Sequence, residues 1–592
     1  MATTMDREPG TRPGRAPLPP PPAAAKAPAW IDAAVAAVAS HKDTWRRTTP
    51  GEAAALLERT LVATHAVAER WVRADAAHRG LSPGGPGFAM EYLLGPHFVL
   101  RTLRLLRASL LTLARLGRLR PPGPVRTRPD GRLRVGLFPT DRYDRLLFRG
   151  FSAEAWMQPG ITAANLGEHV AAAYQARRDD PGRVCAVLGA GNLSSLAPND
   201  ALYALVVERQ VVVLKLSPVL AYQEPILRRA LAPLLEAGVL RLVQGGAEVA
   251  TALSHHPAVD SVLLTGSGQT YGALIYGEGA EGARSEATGQ PLLTKPVLAE
   301  LGNVTPVLIV PGAWTRAELR HKAEELASSL AFNAGATCVT PRVVVTPRGW
   351  PQRGALLDAL RAALCAIPTR PAYYPGSVER TARFLAAHPD ADRLGEAAEG
   401  RAPWLLKTGL DPEREDEPAF REDPFCGVLT ETALESDGSL EDYLERAVAF
   451  CNERLMGNLN AVLFAHPRSV RAPGAAAALE RALAGLRYGN VVLNSGPGLP
   501  YLLAVPPWGA YGPEQQQHPV RSGTGYVHNT WMLDGVEKTV CRAPFRVRPR
   551  PPWFFSHRHQ LEALQRLTTF EVRRDLRTLA PLLWSAAARS AL

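Results

Sequence analysis

Between residues 184 and 264, four short apolar runs alternate with three helix-length segments. No other feature restricts the fold of this chain as strongly. The runs are 184–188, 211–214, 240–243 and 261–264, and the segments between them, 200–208, 224–237 and 247–255, read as helices. Apolar runs without in/out alternation belong to strands covered on both faces, and helices between them supply the crossovers of parallel βαβ units. A second α/β unit starts near residue 296, with strands at 307–310, 343–345 and 461–464 and helices at 314–331 and 442–454. An open parallel sheet binds its ligands at the carboxyl ends of the strands. The residues that follow each run are therefore the first candidates for a site.

At 592 residues the chain exceeds a single hydrophobic core. Residues 1–28, rich in Pro, Ala and Arg, read as a disordered tail. Residues 29–295 read as N-terminal helices and a nucleotide-type α/β domain, with an extended arm at 132–157. Residues 296–504 read as a second α/β domain, 505–545 as a return to the first domain ending in a strand, and 546–592 as a helical extension. The net charge of +11 gathers in Arg-rich segments near both ends, not in a stripe interleaved with aromatics, which argues against nucleic acid as a partner. Residues 98–120 combine a stripe of Leu103, Leu106, Leu110, Leu113 and Leu116 with Arg101, Arg104, Arg107, Arg115, Arg118 and Arg120. So many arginines exclude a membrane span. A core- or oligomer-facing helix with a solvated Arg face is expected ahead of membrane-surface contact. The six cysteines form no Cys-x-x-Cys pair and none stands at zinc spacing with His, so no metal site is expected, and scattered thiols suit a cytoplasmic protein.

Five places carry chemistry. Cys338 sits in the small-residue stretch 332–342, just before an apolar strand, where substrate carbon can approach and backbone N–H groups can stabilise an oxyanion. Asn192, in Gly189-Ala190-Gly191-Asn192, ends a strand and offers a side-chain amide as a second oxyanion donor. Lys215 ends the next strand, where a ribose hydroxyl or a phosphate would bind. The loop from Thr265 through Gly266 and Ser267 to Gly272 follows a strand and opens a helix, a place for a pyrophosphate. Glu300, between apolar segments, suits a general base of raised pKa.

Taken together and in order, these segments resemble the aldehyde dehydrogenase superfamily over about residues 159–506. Asn192, Lys215, the Thr-Gly-Ser loop, Glu300-Leu301-Gly302 and the Asn333-x-Gly335-x-x-Cys338-x-x-x-Arg342 motif match that family's pattern, and Asp423-Pro424-Phe425 resembles a degraded form of a later one. The resemblance implies a Rossmann-like cofactor domain, a catalytic α/β domain and a small β arm joining subunits into homodimers or homotetramers. It further implies Cys338 as nucleophile, Asn192 as oxyanion donor, Glu300 as the base that activates water, and NAD or NADP held by Lys215, Gly266, Ser267, Gly272, Asp423 and Phe425. The substrate would be an aldehyde, and a hydrophobic one if Trp508, Tyr511 and Trp531 line the site. Acid release by hydrolysis is the implied outcome, with transfer to coenzyme A or a non-catalytic scaffold as alternatives. The sequence departs from the family where Pro218 replaces a carboxylate that clasps the adenosine ribose, which favours NADP or dual use.

Overall fold

The computed structural model describes residues 28–176, 179–396 and 398–587; apart from Pro28, the expected tail lies outside them. The alternating segment folds into a five-stranded parallel sheet in the spatial order Leu240–Gln244, Val211–Leu216, Val184–Leu188, Ser261–Thr265, Val297–Glu300. The first three of these strands are almost wholly buried, which is why their sequences run apolar without alternation. The order reverses between Val184–Leu188 and Ser261–Thr265, so the crevice at the carboxyl ends there is the natural ligand position. The expected helix 224–237 is two, Glu224–Ala230 and Ala232–Glu236.

The second domain is built on the parallel strands Asn490–Leu493, Asn460–Phe464, Thr305–Ile309, Pro341–Pro347, Val428–Leu434 and Trp404–Leu410, in that order. Strand Val536–Arg542 adds to it in parallel beside Asn490–Leu493, and the arm strands Ser152–Met157, Leu133–Phe138 and Val125–Thr127 follow antiparallel. The arm thus extends the sheet of the second domain. Both edges of Val536–Arg542 are used within the chain.

The basic helix Phe98–Leu116 is a core element. Leu103, Leu106, Leu110 and Leu113 are buried against helix Pro50–Ala66 and the carboxyl-terminal helix Gln560–Val572. Its arginines are not all solvated: Arg101 is buried and donates to Glu571 (2.9 Å) and to the Leu503 carbonyl (3.0 Å), and Arg104 donates to the other Glu571 oxygen (2.5 Å). Buried charges persist only when paired in this way. Among the described residues no helix is long and apolar enough to cross a membrane.

Candidate active site

Helix Arg316–Ala331 ends against a turn in which Asn333, Ala334 and Gly335 take φ of 50°, 55° and 78°, a left-handed run that reverses the chain and presents Cys338. A side chain at Gly335 would meet the Cys426 carbonyl oxygen at 2.3 Å. Gly335→Ala is therefore expected to destabilise the protein by about 1–3 kcal/mol, read as a lowered urea midpoint at unchanged slope. Arg342 locks the same turn. It donates to the carbonyls of Gly335 and Cys426 (2.7 Å each) and pairs with Asp423 at 2.7 Å.

Glu300, the last residue of its strand and 3% exposed, lines the same cavity as the half-buried Cys338 thiol and accepts from Trp508 Nε1 at 3.4 Å. Burial pushes its carboxyl up to about 8, assisted by the nearby Asp200. Burial, then the Glu300 charge and hydrogen bond, push the Cys338 thiol well above its ordinary value. The resting sulfur is thus a thiol, held so by burial and by the carboxyl beside it. The pair can generate a nucleophile in place, because a buried carboxylate and the sulfur face one cavity side by side.

Asn192 is buried behind the turn. Its amide donates to the Ala336 carbonyl (3.1 Å), and its second N–H has no acceptor among the described residues. Its own carbonyl is held by Asn333 Nδ2 (3.0 Å), Tyr373 OH (3.2 Å) and Arg79 Nη2 (3.2 Å). Arg79 in turn is paired with the buried Glu91. Asp75 accepts from Ser194 Oγ (2.5 Å) and Tyr222 OH (2.7 Å), tying the Asn192 loop to the segment after Lys215. Arg79, Glu91 and Asp75 were missed in the sequence; the only signal for them was charge within amphipathic helices.

On the cofactor side, Lys215 is 7% exposed, with burial lowering its pKa and the Glu248 carboxylate opposing that shift. Ser267 Oγ caps helix Gly268–Tyr276 by accepting from Thr270 N (3.0 Å). No atom lies within 4 Å of where a side chain would project from Gly268 or Gly272, and Gly266 has only ordinary contacts. This open helix amino terminus at the strand reversal fits a pyrophosphate. Asp423 gives one oxygen to Arg342, and its other oxygen is buried without a partner, as a ribose hydroxyl acceptor would be. Phe425 is half-buried at φ 47°, its ring centroid 5.2 Å from that of Tyr374. The residues present thus fit a nicotinamide dinucleotide.

Cys338 and Glu300 open on a cavity of about 100 Å³ whose walls include Phe98, Phe332, Leu499, Tyr501, Trp508 and Trp553. Phe98 comes from the basic helix and Trp553 from the carboxyl-terminal extension, so both segments outside the resemblance shape the substrate side. Of the three aromatics expected at the mouth, Trp508 lines the cavity. Tyr511 instead approaches Glu537 beside the arm (3.4 Å), and Trp531 packs on the core of the first domain. Asn192 does not reach the wall; its neighbour Leu193 does.

Residues 153–371 match the model of the Aldehyde dehydrogenase family. Among curated proteins, N-succinylglutamate 5-semialdehyde dehydrogenase of Sphingopyxis alaskensis is 30% identical over 36% of this chain and 38% of its own length. Its namesake in Ectopseudomonas mendocina is 29% identical over 37% and 44%. Each match thus spans less than half of the relative. An aldehyde dehydrogenase of Pseudomonas syringae, solved with NAD+ and octanal, shares the fold at TM-score 0.56, with 18% identity over 88% of this chain and 90% of that one. Aldehyde dehydrogenase 21 of Physcomitrella patens, solved with succinate, does so at 0.58, with 14% identity over 86% and 89%.

Proposed function

We propose, from the premise that the chain belongs to the aldehyde dehydrogenase superfamily, that it oxidises apolar aldehydes to carboxylic acids with a nicotinamide dinucleotide. The observation that carries this reading is the Cys338–Glu300 pair on the wall of an apolar cavity. Glu300 takes the thiol proton as Cys338 Sγ attacks the aldehyde carbon. The Cys338 backbone N–H stabilises the oxyanion of the thiohemiacetal, while Asn192, expected as a second donor, instead braces the turn through the Ala336 carbonyl. The bound dinucleotide supplies the hydride acceptor, and a thioester is left on Cys338. Glu300, again a carboxylate, removes a proton from water, and hydrolysis frees the acid.

Lys215, Gly266, Ser267 and Gly272 would hold the adenosine and pyrophosphate half, with Asp423 and Phe425 at the nicotinamide half. Glu248, exposed on the first turn of helix Ala247–His255, places a carboxylate by Lys215 where Pro218 has removed one. That charge opposes a 2′-phosphate, so NAD is expected to be preferred over NADP. A homodimer or homotetramer follows from the family, with Val125–Thr127 as the exposed outer strand of the arm. The six free cysteines suit a cytoplasmic setting.

The test is nicotinamide absorbance with NAD and NADP, offered medium- and long-chain aliphatic and aromatic aldehydes, with and without coenzyme A. Reduction independent of coenzyme A with acid formed is the expected result, fastest with NAD and long alkanals. Reduction only with coenzyme A would transfer the protein to the acylating class.

A further inference from the structure

A buried ionisable pair that the mechanism above does not use reaches the cavity wall. Asp200, on helix Leu196–Leu202, accepts a hydrogen bond from His528 Nε2 at 3.0 Å, and His528 lines the same cavity as Cys338 and Glu300. With Nε2–H given to Asp200, Nδ1 is the basic nitrogen, and it makes no hydrogen bond among the described residues. The pair adjoins Glu300 by two routes. His528 stands opposite Trp508 in a two-stranded ladder, and the Trp508 indole donates to Glu300. Thr265 is the strand neighbour of Glu300, and its hydroxyl lies close to Asp200. Thr265 Oγ1 and Asp200 Oδ2 are both buried without another partner.

Glu300 has a proton problem that this arrangement answers. It takes one proton from the thiol and must lose it before it can take another from water, yet it is 3% exposed and the acyl chain then fills the cavity. We propose that the Asp200–His528 pair accepts the proton that Glu300 removes from Cys338, holds it through the acyl-enzyme stage, and releases it when the product leaves. The transfer runs from Glu300 Oε through water to His528 Nδ1, while the bond from His528 Nε2 to Asp200 stays in place. An imidazole held by a carboxylate can take a proton at one ring nitrogen and return it while the other nitrogen keeps its hydrogen bond. The other titratable groups facing His528 are Glu300 on its strand, Cys338 in its turn and Tyr501 on helix Leu499–Leu503. Burial keeps the Tyr501 phenol protonated, and the cavity wall carries no lysine or arginine.

This inference rests on the oxidative reading, and the experiment separates the two. His528→Gln and Asp200→Asn are compared with wild type by stopped-flow absorbance with octanal and NAD, and dinucleotide affinity serves as the check on folding. The expected result is a full first-turnover burst, a steady-state kcat about tenfold lower at neutral pH, and KM changed less than about twofold. The deficit should shrink at alkaline pH, where hydroxide replaces the relay, and imidazole should restore part of the activity of His528→Gly. If both polar variants fail to fold, Thr265→Val, which removes only the hydroxyl, should show the same pattern with a smaller deficit. Unchanged kcat, a burst lost in step with turnover, or a deficit indifferent to pH overturns the relay. Wild type without turnover overturns the oxidative reading and the relay with it.

Discussion

Cys338→Ala should abolish turnover, a loss on the order of 10⁴-fold or more by analogy with removal of other catalytic nucleophiles, while dinucleotide affinity stays within about twofold. No other thiol can replace it. Cys185, Cys426, Cys451 and Cys541 are buried off the cavity wall, and Cys365 is exposed on helix Arg353–Ala366, away from that wall as well. The groups assigned to the dinucleotide, from Lys215 to the loop at Gly266, are positioned by the five-stranded sheet, and their geometry does not depend on the sulfur. Single-turnover absorbance and titration of the dinucleotide by protein fluorescence give the two readouts. Residual turnover above about one per cent would move the nucleophile elsewhere, because covalent catalysis has no partial substitute for its nucleophile. Loss of dinucleotide binding in a folded variant would contradict the separation of the two half-sites.

What the sequence disclosed follows from where its patterns are local. Val211–Leu216 is covered on both faces, so it reads apolar until Lys215, and the strand end and the candidate residue were found by the same pattern. Glu300 was legible for the same reason, as a carboxylate closing an apolar run. The residues that hold the site were not legible, because their partners are remote in sequence. Arg79 reaches the Asn192 carbonyl across 113 positions, and Asp200 meets His528 across 328. Nothing in an amphipathic helix distinguishes a solvated arginine from Arg79 or Arg101, both of which are buried. The arm was recognised as extended, but strand alternation does not specify a partner, and Val536–Arg542 found its partner within the chain. Cys338 was singled out by its small neighbours, and its role as nucleophile came from the family resemblance. Its protonation depends on Glu300, which packing brings to it.

Glu300→Gln should lower kcat by about 10²- to 10⁴-fold, the usual worth of a general base, and slow the first-turnover burst as well as the steady state. The amide keeps an oxygen for Trp508 Nε1 and nearly the same volume, so the cavity wall is preserved and the loss reports on proton transfer. Since the carboxyl titrates at about 8, wild-type kcat/KM should rise about tenfold per pH unit below that value and level off above it. The variant should be flat over the same range. Stability runs the other way. The folded state binds the Glu300 proton more tightly than the unfolded chain, whose ordinary value is 4.5. Unfolding therefore releases that proton between about 4.5 and about 8, and this group's contribution to stability declines as pH rises through that window, by at most about 1.4 kcal/mol per unit. Glu300→Gln should remove that slope, so its midpoint in urea should exceed that of wild type increasingly toward pH 8. A variant that lost activity but kept the wild-type rise of kcat/KM with pH would show that Glu300 is not the titrating group. A variant flat in both profiles places activation of the thiol and the pH-dependent cost to the fold on the same carboxylate, since the burial that raises its proton affinity is what makes it a base near neutrality.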